Sequence, residues 1–64
     1  MKGDEFRQRR EAIGYDTRPK VAASIGCAPI TVRHWENGIN PVARYAINWL
    51  IRKEHDYEKS RKRR

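Results

Sequence analysis

The side chains of this protein that most clearly indicate a chemical role are the basic ones, because they are unusually numerous. The 64 residues include 15 Lys and Arg against 8 Asp and Glu, which gives a net charge of +7. Such an excess on so small a protein indicates a polyanionic partner, and nucleic acid is the first candidate. No Ser/His/Asp, Cys/His or paired-carboxylate constellation falls on neighbouring predicted elements. We therefore expect neither an enzyme nor a small-molecule substrate.

Metal and redox chemistry are not expected either. Cys27 is the single cysteine, and His34 and His55 lie twenty-one residues apart, a separation that matches no zinc-site spacing. We predict no metal, no cofactor and an inert thiol. No apolar run approaches the ~18 residues of a membrane span, and the first residues lack the apolar stretch of a secretion signal. The expected location is the cytoplasm, without a membrane partner.

Positive charge is concentrated at the C-terminus. Residues 59–64 carry five Lys and Arg and no acidic residue, so residues 1–58 keep a net charge of only +2. We predict one folded domain over residues 1–58 and a basic tail over residues 59–64. The tail is either a solvated end or an arm that neutralises phosphates and adds affinity without specificity.

Three glycines spaced by twelve residues divide the chain: Gly14, Gly26 and Gly38. Each follows a stretch with helical character, where a positive φ ends a helix at low cost. The pattern predicts a first helix over about residues 4–13, a second capped by Asp16 or Thr17, and a third that begins near Pro29. The residues expected to face inward are Phe6, Ile13, Val21, Ala22, Ile25, Val32 and Trp35.

A fourth, longer helix has the strongest periodicity, and Asn40 and Pro41 are its expected cap and first turn. Its apolar stripe repeats at i, i+3, i+4, i+7 and i+8 through Val42, Tyr45, Ala46, Trp49 and Leu50. Further apolar residues exceed what one buried face needs, so we expect a homodimer interface. Its candidates are Tyr15, Ile47, Ile51 and Tyr57. The predicted fold class is an all-α compact bundle of four helices, or five with a further C-terminal helix.

The region of the second and third helices resembles a known family. Two short helices flank Gly26-Cys27-Ala28, and the second ends in Trp35-Glu36-Asn37-Gly38, as in a helix-turn-helix. Residues 6–50 are similar to the Cro/repressor type of DNA-binding domain, often called XRE-like. The resemblance implies a lambda-repressor-like fold and a sequence-specific transcription regulator, such as a phage or mobile-element repressor. Such a protein binds a palindromic operator of double-stranded DNA as a homodimer, in the nucleoid of a bacterial host cell.

The resemblance also implies roles for individual residues. The expected base contacts are Pro29, Ile30, Arg33 and His34. The expected phosphate contacts are Thr17, Arg18, Lys20, Thr31, Asn37, Gly38 and Arg44. Arg10 and Glu36 match the positions of a structural ion pair. The side-chain types suit base contacts, because arginine can donate to O6 and N7 of guanine and an aliphatic side chain can contact a thymine methyl. Each such contact can discriminate against a wrong base by about 1 to 3 kcal/mol.

The chain departs from the family pattern in four places. The connection Gly14-Tyr15-Asp16-Thr17 is one residue longer than usual, and the fifth helix that many members use for dimerisation is absent or replaced by the charged end of the fourth helix. Ala28 replaces the customary Ser or Thr cap of the recognition helix, and Arg9 stands where an apolar residue is common. Simpler interpretations also exist: Ile30 is an ordinary exposed aliphatic side chain, and Arg33 and His34 are solvated. An alternative function is an RNA-binding basic module that uses the tail, and a third is a protein-binding adaptor.

Overall fold

Four helices and no strand make up residues 1–61, the part of the chain that the computed structural model describes. Helix α1 spans Gly3–Ala12, α2 spans Arg18–Ile25, α3 spans Pro29–Glu36 and α4 spans Arg44–Arg61. The predicted all-α class is confirmed, and no fifth helix follows within residues 1–61. None of these helices combines the length and the apolar character that a membrane crossing requires.

Local sequence explains the ends of the short helices. The hydroxyl of Thr17 accepts a hydrogen bond at 3.4 Å from the main-chain N–H three residues later, so Thr17 rather than Asp16 caps α2. Gly26 ends α2 with a φ of 97°, a conformation that few other residues adopt. Ala28 offers no side-chain cap to α3, and Pro29 occupies the first turn of that helix.

The start of α4 differs from the sequence prediction. The helix begins at Arg44, whereas the expected cap and first-turn residues, Asn40 and Pro41, lie in a non-helical segment. Val42 is buried in that segment, and the carbonyl of Ala43 accepts main-chain hydrogen bonds at 3.0 and 3.1 Å from the first turn of α4. Proline is compatible with a first helical turn and with a non-helical segment, so Pro41 alone does not fix where the helix starts.

The core lies where α1 packs against α3 and α4, and where α2 packs against α3. Its buried apolar residues are Phe6, Val21, Ala22, Val32, Trp35, Val42, Ala46 and Leu50. Ile13, Ile25 and Trp49, expected inside, are half-buried against it. The prediction that Tyr45 faces inward with the apolar stripe is wrong, because this side chain is 54% exposed. Its ring and that of Trp35 pack edge to face, with 5.8 Å between the ring centroids.

The first turn of α1 lies directly on the end of α3. A methyl group added at Gly3 would be 2.2 Å from the carbonyl oxygen of Trp35 and 2.8 Å from Cα of Glu36. Real carbon atoms do not approach main-chain atoms so closely, so only glycine fits here without a shift of the two helices. Gly3 therefore helps to fix the position of α3.

The C-terminal half of α4 extends past the core. Leu50 is the last buried residue of the helix, and residues 55–61 are all exposed. An 18-residue helix is about 27 Å long, which explains why the described chain measures 40 by 20 by 18 Å. The predicted boundary after residue 58 falls inside α4. Of the basic tail, Lys62, Arg63 and Arg64 lie outside the described residues.

Candidate nucleic-acid interface

Helix α3 has one buried face and one exposed face. Val32, Trp35 and Glu36 are at most 8% exposed and hold the helix against α1 and α2. Among the expected base contacts, Pro29 and Arg33 are exposed and Ile30 is 50% exposed, whereas His34 is half-buried. The outward face of α3 thus offers an apolar group and a guanidinium side by side, with His34 at its edge.

A buried cluster of charges fixes the C-terminal end of α3. The carboxylate of Glu36 accepts hydrogen bonds from Arg10, at 2.6 Å from Nε and 3.3 Å from Nη2. The third nitrogen of this guanidinium, Nη1, donates to the carbonyl of Tyr15 at 2.6 Å. Because both side chains of the pair are almost fully buried, each charge depends on the other for compensation. The two residues expected to form an ion pair are therefore in contact.

Glu36 has a second arginine partner that the sequence does not predict. Nε of Arg18 donates to Oε1 of the carboxylate at 2.9 Å, which connects the first turn of α2 to the last turn of α3. The side chain of Arg18 remains 36% exposed. It borders a shallow groove whose other lining residues are Pro19, Pro29, Ile30 and Arg33. One expected phosphate contact, Arg18, and three of the four expected base contacts thus surround one groove.

The other expected phosphate contacts lie on three separate segments. Thr17 and Lys20 are exposed at the start of α2, where Nζ of Lys20 donates to Asp16 at 3.1 Å and lowers the pKa of that carboxyl. Thr31 is half-buried on α3. The remaining candidates are Asn37, Gly38 and Arg44, all exposed. Among these candidates, only Gly38 has a positive φ, at 77°.

Basic residues fall into two groups according to their partners. Each of the first group forms an ion pair with a carboxylate: Arg7, Arg9, Arg10, Arg18 and Lys20. Within residues 1–61, no ion pair forms at the second group, which comprises Lys2 before α1 and six residues of α3 and α4: Arg33, Arg44, Arg52, Lys53, Lys59 and Arg61. Positive charge is therefore neutralised over α1 and α2 and left available over α3 and α4.

Acidic residues are distributed in a complementary way. Between residues 17 and 53 the only carboxylate is that of Glu36, which is buried and paired. The other seven acidic residues are Asp4, Glu5, Glu11, Asp16, Glu54, Asp56 and Glu58. The surface of α2, α3 and the first half of α4 thus exposes no negative side chain, which favours an approaching polyanion.

The predicted dimer residues divide into two pairs. Tyr15 and Ile47 pack partly against their own core, and the ring of Tyr15 lies 4.9 Å from that of Trp49, edge to face. Ile51 is 53% exposed and Tyr57 is 38% exposed. Only the second pair presents substantial free apolar surface to another molecule.

An ion pair between α1 and α4 explains the departure at Arg9. Nε of Arg9 donates to Glu54 at 2.8 Å, Nη2 donates to the other carboxylate oxygen, and Nη1 reaches Glu5 at 3.3 Å. These hydrogen bonds lower the pKa of the Glu54 carboxyl. The sequence contains no local signal for this pair, because its two residues are 45 positions apart.

The remaining reactive group is the half-buried thiol of Cys27. Burial raises the pKa of the Cys27 thiol, so the thiolate, the reactive form, is disfavoured. Over residues 1–61, no three His, Cys, Asp or Glu side chains come together as metal ligands. Comparison with protein-family models, with curated proteins and with solved structures finds no match to this chain.

Proposed function

We propose that this protein is a sequence-specific transcriptional regulator that binds double-stranded DNA. In this proposal α2 and α3 form a helix-turn-helix of the lambda-repressor-like type, and α3 is the recognition helix. The observation that carries the proposal is the exposed face of α3, whose opposite face is buried. Ile30 and Arg33 project from this face, and Arg33 forms no ion pair with any residue between 1 and 61. The resemblance to phage and mobile-element repressors supports repression as the mode of regulation.

Base recognition follows from the chemistry of that face. Arg33 donates two hydrogen bonds to O6 and N7 of a guanine, and Ile30 contacts a thymine methyl in the major groove. His34, at the half-buried edge, reaches a base or phosphate with one ring nitrogen. The buried contacts of Glu36 with Arg10 and Arg18 support this assignment, because a recognition helix must hold its side chains in one register.

Phosphate contacts orient the domain on the duplex without reading its sequence. The start of α2 offers the hydroxyl of Thr17 and the ammonium of Lys20, both exposed, as donors to a phosphate oxygen. Arg18 keeps its Nε on Glu36 while its remaining exposed surface faces the groove beside α3. Asn37, Gly38 and Arg44 contact a second phosphate position, with Thr31 contributing from within α3.

A homodimer places two recognition helices on a two-fold operator. The exposed side chains of Ile51 and Tyr57 form the contact, and half-sites about 34 Å apart match one turn of B-DNA. The proposed activity is binding alone, in the nucleoid, without a metal or cofactor.

Selection of binding sites from random duplex DNA tests the proposal. We expect an enriched palindrome, and Arg33→Ala should weaken binding to it by about 5- to 150-fold, which corresponds to 1 to 3 kcal/mol. Arg7→Ala makes the same change in charge on α1 and should leave the ratio between selected and random sites unchanged. No enriched motif, together with tight binding to RNA that depends on the tail, would favour the RNA-binding alternative.

A further inference from the structure

Helix α4 carries a line of polar side chains. Only the first of them, Arg44, belongs to the DNA contacts proposed above. The members of the line repeat at i, i+4, i+8, i+11 and i+15, and each is exposed: Arg44, Asn48, Arg52, His55 and Lys59. Residues three and four apart share a helix face, so these five side chains form one row, which we call the α4 stripe. The row is about 22 Å long, since each residue rises by about 1.5 Å.

The middle of the stripe lies on the side of α4 that faces away from the core, whereas His55 borders a groove beside Ala12 and Ile13. Asn48 stands two positions from Ala46 and two from Leu50, both fully buried, and a separation of two residues places side chains on opposite sides of a helix. The same relation holds between Leu50 and Arg52. No contact with the core therefore accounts for Asn48 or Arg52.

Charge on the stripe is not neutralised by neighbouring carboxylates. Arg44, Arg52 and Lys59 form no ion pair within residues 1–61. Asp56 borders the row, four positions after Arg52, but it remains separate from both Arg52 and Lys59. Arg9 holds Glu54 on another side of the helix.

We propose that the α4 stripe is a second contact surface for the phosphate backbone of duplex DNA, outside the bases that α3 reads. The row spans the axial distance of about six successive phosphates of one strand, because phosphates of a strand are about 3.4 Å apart along the axis. Its side chains are two guanidinium groups, an ammonium, an amide and an imidazole, all of which can donate to phosphate oxygens. The inference rests on the proposed function for the identity of the polyanion.

The salt dependence of binding tests this surface. In the full chain, Arg52→Gln with Lys59→Gln removes two stripe cations. Lys2→Gln with Arg7→Gln removes two cations from α1 and the residue before it, as a charge-matched control outside the stripe. The binding constant for random duplex DNA falls with salt, and the slope of its logarithm against log salt should become shallower by up to about 1.8 in the stripe variant. Each lost phosphate contact contributes about 0.9 to this slope. The control should change it much less.

Two further measurements distinguish whether the phosphates belong to the same duplex that α3 reads or to a second duplex. If the flanks of the same duplex supply them, the difference between stripe variant and control grows when the selected site is lengthened by one helical turn on each side. If a second duplex supplies them, short duplexes bind the native chain in two steps and the stripe variant in one. Either result supports the proposal.

Equal slopes for the stripe variant and the control would overturn the proposal, as would binding to anionic lipid vesicles that the stripe variant loses while its binding to DNA is retained. Failure of the proposed function gives a different result, namely no selected motif and no effect of Arg33→Ala. A slope that falls in the stripe variant while no motif is selected would retain the phosphate surface and reject sequence recognition.

Discussion

Helices α1 and α4 use their basic side chains differently. On α1, Arg7, Arg9 and Arg10 each pair with a carboxylate, and Arg10 does so inside the core. On α4, Arg44 and Arg52 project into solvent without a partner among the described residues. The same residue type thus serves folding in one helix and remains available for a ligand in the other. Substitutions should separate the two uses: we expect those on α1 to change stability and those on α4 to change the proposed binding to DNA.

The largest effect is expected at the buried carboxylate. Glu36→Gln leaves the buried guanidinium of Arg10 without its counter-charge, so we expect a loss of about 3 to 5 kcal/mol in the free energy of unfolding. Urea denaturation followed by circular dichroism measures this loss. Arg18→Gln removes only the partly exposed partner and should cost about 1 kcal/mol. Equal losses of unfolding free energy in the two variants would contradict the distinction between the buried Arg10 and the partly exposed Arg18.

The contact between α1 and α3 gives the second largest effect. Gly3→Ala places a methyl group 2.2 Å from the carbonyl oxygen of Trp35, so the two helices must separate. Overpacking of this kind costs about 1 to 3 kcal/mol. Thermal unfolding of this variant can be compared with Ala12→Gly, which alters the exposed last residue of the same helix. An unchanged melting temperature for Gly3→Ala would mean that the close approach is not maintained.

A smaller effect that depends on pH is expected where α1 meets α4. Because hydrogen bonds from Arg9 lower the pKa of Glu54 below its ordinary value of 4.5, the pair stabilises the fold above that pH. The contribution disappears as the pH falls through the lowered pKa of the folded state. Both side chains are about a third exposed, so Glu54→Gln should cost less than about 1 kcal/mol at pH 7.

Denaturation of Glu54→Gln and of the native chain at several pH values checks this assignment. The difference between the two stabilities should begin to shrink as the pH falls below 4.5, and it should vanish once the pH is below the lowered pKa of Glu54 in the folded chain. A difference that stays constant down to pH 2 would show that the pair contributes through packing rather than charge.

The smallest effect on stability is expected on α4. Arg52 is exposed and has no ion-pair partner within residues 1–61, so Arg52→Gln should change the free energy of unfolding by less than about 0.5 kcal/mol. The same urea experiment as for Glu36→Gln provides the measurement. A loss above 1 kcal/mol would place Arg52 among the folding residues and remove the contrast between α1 and α4.

Local signals in the sequence predicted the short helices well. Gly26 and Pro29 mark where α2 ends and α3 begins, because glycine supplies a positive φ and proline suits a first turn. The exposed face of α3 also followed from spacing, since Val32 and Trp35 occupy the buried side. These features depend on neighbours a few residues away, which a sequence displays directly.

Features that depend on distant neighbours were missed or misplaced. Tyr45 follows the apolar repeat of α4 and is nevertheless exposed, because the repeat does not reveal how far the core extends. Helix α4 starts at Arg44 rather than at Pro41, and Val42 is buried in the segment before it. Arg18 acquired Glu36 as a partner 18 positions away, and nothing local indicates which arginine will meet a given carboxylate.

The unsupported end of α4 has a consequence for local opening. Residues 55–61 bury no side chain, and a helical segment this short is marginal in water unless packing supports it. Its main-chain amides should exchange with deuterium through fraying, at rates well above those of amides between Ala46 and Leu50, which exchange only when the whole domain unfolds. A bound duplex that neutralised Lys59 would slow exchange in this outer segment first.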